Sequence, residues 1–281
     1  MILSEMRPDA MFEISSDLGS HDIDKNYDWI SDLRFHYPDL DLAVIPNFIQ
    51  QAHESTNFDV NFPDHIVDPQ SLNENQMIVF KQVESHYTTL LNNPEYIDPL
   101  KLIVLETAGT EKSYLIKMIQ DRLYEIACDH NINISPVMLL APISVAVFNI
   151  HGSTIYSSFS IPVSAKTFDL TGENLKRLQS KLDIMYYFVI DEKSMVGRHM
   201  LALIDLRLRQ AFPEYRNHAF GRCSIILIGD FGQLPPVLDE LMYSQVIRRD
   251  FLSNDAITVY QQFRKVYRLG IVQHQSGDSS E

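Results

Sequence analysis

LIVLETAGTEKS, running from Leu102 to Ser113, opens with five residues that are apolar almost throughout and rich in β-branched and leucine side chains. Such a run is expected of a strand buried on both faces of a parallel sheet. A polar loop and a helix follow it directly. The unit recurs: VMLLA (137–141) precedes SVAVFNI, YYFVI (186–190) precedes a helix through MLALIDLRLRQAF, and SIILIG (224–229) ends at another polar loop. Strands alternating with helices predict an α/β fold on a doubly wound parallel sheet. Ligands of such sheets sit beyond the carboxyl ends of the strands, so the residues after each strand are the candidates for chemistry.

Upstream of the first strand, LNENQMIVFKQVESHYTTLL reads as a helix with Met77, Val79, Phe80, Val83 and Tyr87 largely on one face, closed by Pro94 and Pro99. Residues 1–70 have a different texture, with scattered aromatics and no long amphipathic period, and are expected to form a separate extension. The charge divides at the same place. Of the net charge of -14, residues 1–70 carry -11 and residues 71–281 only -3. The acidic extension is expected to serve as an arm for a protein partner, while the near-neutral remainder leaves room for a local basic groove.

At 281 residues and 45% hydrophobic content the chain has ample material for a buried core. No run approaches the roughly 18 apolar residues that cross a bilayer, so no membrane association is expected, and the acidic N-terminus does not read as a targeting peptide. Cys128 and Cys223 have neither metal-site spacing nor disulfide density, and fit structural thiols in a reducing interior.

Three post-strand segments carry the chemistry. ETAGTEKS, Glu106 to Ser113, follows the phosphate-loop pattern G-x-x-x-x-G-K-[ST], except that both outer glycines are glutamate. In an intact loop backbone N–H groups cradle phosphates, the lysine neutralises their charge and the hydroxyl binds Mg2+. A Lys-Ser pair opening a helix is otherwise only a solvated first turn. After the third strand DEKSM begins at Asp191, and an apolar strand ending in Asp-Glu is where phosphate-loop motors hold Mg2+ and orient water; acids at a helix start are the plainer reading. After the fourth strand GDFGQLPPV, Gly229 to Val237, is the most specific string: Gln233 is placed to sense a γ-phosphate, and a surface turn accounts for Pro235 and Pro236 but not for the Gly-Asp-Phe-Gly-Gln order.

LNENQ, TAGTEKS, APISVAVFNIHGSTIYSSFSIP, IDEKSM and GDFGQLPPV, in this order, resemble the helicase motifs of the Pif-one family of DNA helicases, from about residue 71 to the C-terminus. The resemblance implies a RecA-like P-loop NTPase domain, the first motor domain of an ATP-dependent 5′ to 3′ DNA helicase that uses Mg2+. It further implies single-stranded DNA and DNA forks as partners, roles in repair, recombination and telomere maintenance, and a nuclear location. By position Gln76 matches the residue that reads adenine. Thr107, Ala108, Gly109, Thr110, Glu111, Lys112 and Ser113 match the phosphate loop, with Ser113 and Asp191 on the metal, Glu192 on water and Gln233 on the γ-phosphate. Asn149, Thr154 and Phe159 match the DNA-contacting segment, although Phe148 and Phe159 equally suit a core.

The family has glycine at 106 and 111, threonine and glycine at 143 and 144, histidine at 156, and arginine where His274 stands. A glutamate at 111 adds a side chain and a negative charge where backbone approaches phosphate. The expectation is a weakened ATPase, with no second motor domain before Glu281, or else a non-catalytic nucleotide- or DNA-binding relative.

Overall fold

The alternation of side chains along each strand run is divided between two cores. In the computed structural model, which describes residues 68–94, 97–106, 110–162, 169–247 and 251–270, these lie in one compact unit that begins at Ile66. Nearly all of the acidic extension therefore lies outside the described residues, as do Thr107, Ala108, Gly109 and His274.

Strands β1 (Lys101–Glu106), β2 (Val137–Ala141), β3 (Ser153–Thr154), β4 (Tyr187–Ile190), β5 (Ser224–Gly229) and β6 (Lys265–Leu269) form one sheet in the order β3-β2-β4-β5-β1-β6. Every neighbouring pair is parallel. One face receives Leu102, Val104, Leu139, Val189 and Ile226 and is covered by α1 (Glu74–Asn92), α2 (Lys112–Asp129) and α3 (Ser144–Ile150). The other receives Ile103, Leu140, Phe188, Ile190 and Leu227, beneath α5 (Gly172–Leu182), α6 (Arg198–Ala211) and α7 (Phe251–Tyr260), with the single turn α4 (Ile155–Ser158) beside them. Period-two side chains that are apolar on both faces require this double cover.

The four apolar runs fall on β1, β2, β4 and β5, with Tyr186, 44% exposed, left just outside β4. β3 and β6 did not read as strands. β3 is two residues defined by pairing with Leu140 and Ala141, and β6 is an edge strand whose KVYRL is largely exposed. The first helix begins with a capping box: the Gln76 N–H donates to Asn73 Oδ1 at 3.0 Å and the Asn73 N–H to Gln76 Oε1 at 3.1 Å. Among the described residues no helix is long and apolar enough to cross a membrane.

Candidate functional site

Strand order gathers the candidates. β5 lies between β4 and β1, so the carboxyl ends carrying Glu106, Asp191 and Gly229 converge on one edge of the sheet. There the Lys112 ammonium, in the first turn of α2, lies 2.9 Å from Glu106 Oε1, 3.3 Å from Asp191 Oδ1 and 2.5 Å from Glu192 Oε1. Glu106 and Asp191 are buried and Glu192 half-buried. Three carboxylates thus share one ammonium. Burial pulls the Lys112 pKa down, but the Glu192 hydrogen bond, the Asp191 charge and Glu106 together leave it above the usual lysine value. Burial pushes the Glu106 and Asp191 carboxyls up despite Lys112, and each feels its acidic neighbours. All these shifts express one fact: a buried cluster with excess negative charge favours added cations and protons.

The loop keeps a glycine's backbone without the glycine. Glu111 has φ 53° and ψ 46°, the left-handed region, and caps α2 with no side-chain hydrogen bond. An L-residue pays about 1–2 kcal/mol there. Gln76, fully buried, donates from Nε2 to the Thr110 carbonyl at 3.0 Å while its Oε1 accepts from Asn73. Both ends of the amide hold protein backbone, so a nucleobase edge would compete with these bonds. Ser113 is half-buried at the second position of α2.

Asp191 Oδ1 accepts the Glu192 N–H at 2.8 Å, and Glu192 is itself left-handed at φ 50°, which turns the chain sharply after β4. Lys193 follows, fully buried, with its ammonium 4.4 Å from the centre of the Phe231 ring. Burial lowers its pKa to about 8, against the pull of Glu106 and Asp230. Gly229 has φ 131°, and a Cβ there would come within 3.2 Å of the Lys193 nitrogen, so the two turns touch through backbone. Gln233 is exposed beyond a turn closed by Gly232 N–H donating to Asp230 Oδ1 at 2.8 Å. Motif matching does not single out Lys193, although a lysine in a turn with buried Asp191, Ser194 and Val196 is itself a signal.

Past β2, Asn149 is exposed on α3, and Thr154 caps α4 by accepting the Ser157 N–H at 3.2 Å. Phe159 is fully buried against Phe188, with centroids 5.6 Å apart, which makes it a core residue unavailable for stacking on a base. Phe148, by contrast, is 64% exposed.

Comparison with known proteins identifies the arrangement. The family model described as PIF1-like helicase matches residues 71–276, the whole span that holds the sheet and its post-strand turns. The chain belongs to that family. The ATP-dependent DNA helicase PIF4 of Trypanosoma brucei brucei is 31% identical over 146 residues, covering 49% of this chain and 17% of that relative. The ATP-dependent DNA helicase RRM3 of Saccharomyces cerevisiae is 31% identical over 137 residues, covering 47% of this chain and 18% of that one. The chain therefore spans less than a fifth of either relative's length. Among solved structures, a double mutant of the Bacteroides Pif1 helicase aligns with TM-score 0.51 at 25% identity, over 76% of this chain and 44% of that one. Candida albicans Pif1 aligns with TM-score 0.50 at 24% identity, over 74% and 41%. The fold is RecA-like.

The family is ATP-dependent, so nucleotide and Mg2+ are the groups to fit. As folded, the Lys112 ammonium that a triphosphate would need is paired with three carboxylates, which such a ligand would have to displace. Lys112, whose charge a phosphate needs, is already saturated, and Glu106 places a carboxylate on it where an anionic ligand would bind. Asp191 retains the donor chemistry of a metal-holding carboxylate, with one oxygen engaged by Glu192 and Lys112.

Proposed function

We propose that this chain is the first motor domain of a PIF1-type DNA helicase whose phosphate site is closed by its own carboxylates, so that nucleotide binding and hydrolysis are strongly reduced. The observation that carries the reading is the 2.9 Å contact between Lys112 and Glu106, a residue at the position of a phosphate-loop glycine. A phosphate entering the loop must displace Glu106 and then lie beside it. A unit-charge contact near 4 Å is worth about 4 kcal/mol at an effective dielectric near 20, and solvent reduces that to roughly 2–3 kcal/mol. Such a penalty weakens binding by roughly 30-fold to 150-fold.

In this reading Asp191 and Ser113 are the residues for Mg2+, Glu192 polarises water, Gln233 senses the γ-phosphate, and Gln76 holds the loop through Thr110. Single-stranded DNA runs over the segment 141–162, with Asn149 and Thr154 offering polar groups and exposed Phe148, in place of buried Phe159, offering a ring on which a base can stack. Fork structures, nuclear residence, the division of the chain near residue 70 and a protein partner for the acidic extension belong to the same proposal. The DNA-helicase activity named for the relatives reaches this chain in the same way.

The purified chain is expected to show no measurable DNA-stimulated ATP hydrolysis, while retaining single-stranded DNA binding in a fluorescence-anisotropy titration. Turnover that Lys112→Ala abolishes would overturn the first part. Absence of any binding to oligonucleotides at low salt would overturn the second and favour a pure protein-interaction module. Restoring glycine at both 106 and 111 should recover nucleotide binding before any unwinding.

A further inference from the structure

Among the described residues, Lys193 is a buried cation without a hydrogen-bonded partner. Its side chain is wholly enclosed, and among the described residues its Nζ makes no hydrogen bond. Enclosing an ammonium in that state is costly unless something answers its charge. The Phe231 ring lies 4.4 Å away, the Glu106 and Asp230 charges add a longer-range pull, and cation–π attraction is strongest where water is excluded. The ring is held in turn by Tyr243, edge-on at 5.1 Å.

The two partners sit in two different turns. Lys193 directly follows Asp191 and Glu192 after β4, and Phe231 stands between Asp230 and Gln233 after β5. The far end of the segment after β5 is anchored separately. Asp239 accepts the His199 and Met200 N–H groups at 3.1 and 3.2 Å, and Arg198 donates to the Ser244 and Val246 carbonyls at 3.1 and 2.6 Å. Near its start, the segment has Phe231 resting on Lys193.

We propose that Lys193 is a positioning residue: clamped over Phe231, it docks the Asp230–Gln233 turn onto the Asp191–Glu192 turn, so that the two turns move as one piece. The proposal rests on the reading of Glu192 and Gln233 as the water-polarising and phosphate-sensing residues.

The test is amide hydrogen exchange on the ligand-free chain, resolved to residues 193–196 and 230–233, for wild type, Lys193→Met, Lys193→Arg, Phe231→Leu and the Lys193→Met/Phe231→Leu pair. Lys193→Met keeps the length without the charge, and Phe231→Leu keeps an apolar side chain without the ring. Each is expected to speed exchange in both segments together, by roughly tenfold, with the pair no faster than either single change, Lys193→Arg close to wild type, and the amides of Val79, Phe80 and Val83 unchanged. If Lys193→Met folds poorly, Phe231→Leu alone must still loosen residues 193–196. Exchange that rises in only one segment, or effects of the two changes that simply add, would overturn the proposal. No nucleotide enters the measurement, so a failure of the phosphate-site reading would show separately, as absent labelled-ATP binding by the variant with glycine at 106 and 111.

Discussion

Glu111 holds the left-handed conformation that a glycine would adopt without strain, and it does so at the start of α2 with no capping bond in return. Glu111→Gly should therefore stabilise the domain by about 0.5–1 kcal/mol, the left-handed cost less the extra freedom glycine gives the unfolded chain. A guanidinium denaturation midpoint that falls instead would contradict it. Lys112 carries the opposite expectation. Its ammonium is the shared counter-ion of Glu106 and Asp191, whose side chains are 5% and 2% exposed, so Lys112→Ala leaves buried carboxylates uncompensated. Loss of about 3 kcal/mol is expected in the absence of any nucleotide, read by the same denaturation. An unchanged midpoint would mean that the cluster contributes nothing to folding. Sequence made the identity of both residues legible, because the motif spacing singles out positions 106, 111 and 112. The pairing was not legible: that Glu106 turns onto Lys112, and not into solvent, depends on where β4 brings Asp191 and Glu192.

The elements around the site were legible to the extent that they are hydrophobically periodic. β1, β2, β4 and β5 announce themselves as apolar runs, and α1 as a one-faced helix. β3 and β6 do not, because one is too short to have a period and the other is a partly polar edge. One element, α1, also carries two polar links that no period reveals. On α1, His86 accepts from the Tyr187 hydroxyl of β4 at Nδ1 and donates from Nε2 to the Asp98 carbonyl at 2.9 Å, a pattern that suits the neutral ring. Burial lowers its pKa below 6.5, helped by the Lys265 charge and opposed by Asp98. A histidine with a lowered folded pKa adds stability above its unfolded pKa and loses it as pH falls through the folded value. Stability should therefore decline on acidification below about pH 6.5, by up to about 1.4 kcal/mol per pH unit from this group. That component should vanish in His86→Gln when midpoints at pH 7.5 and 5.5 are compared; equal pH slopes in the two proteins would refute it. Gln76 links α1 to the loop before α2 by the bond to Thr110. Gln76→Ala removes that bond and half of the capping box, so about 1–3 kcal/mol of stability should be lost whether or not nucleotide is added. A Gln76→Ala protein as stable as wild type until ATP is supplied would return the residue to adenine recognition alone.

Across the whole molecule, the family motifs are scattered through the sequence yet fall at the carboxyl ends of β1, β4 and β5 or in the segments that touch them, as a doubly wound sheet requires. That placement was legible because motif order and strand order can be read together. The choice between two aromatic residues in the segment 141–162 was not: Phe148 and Phe159 equally suit a core, and only the structure separates Phe159, buried against Phe188, from exposed Phe148. The proposed function turns on closure of a PIF1-type site from within by Glu106. The most direct measurement is equilibrium binding of labelled ATP with Mg2+ to wild type and to Glu106→Gln, which removes the charge and keeps the shape. Binding is expected to be tighter in Glu106→Gln by roughly tenfold or more. Equal affinities in the two proteins would contradict it.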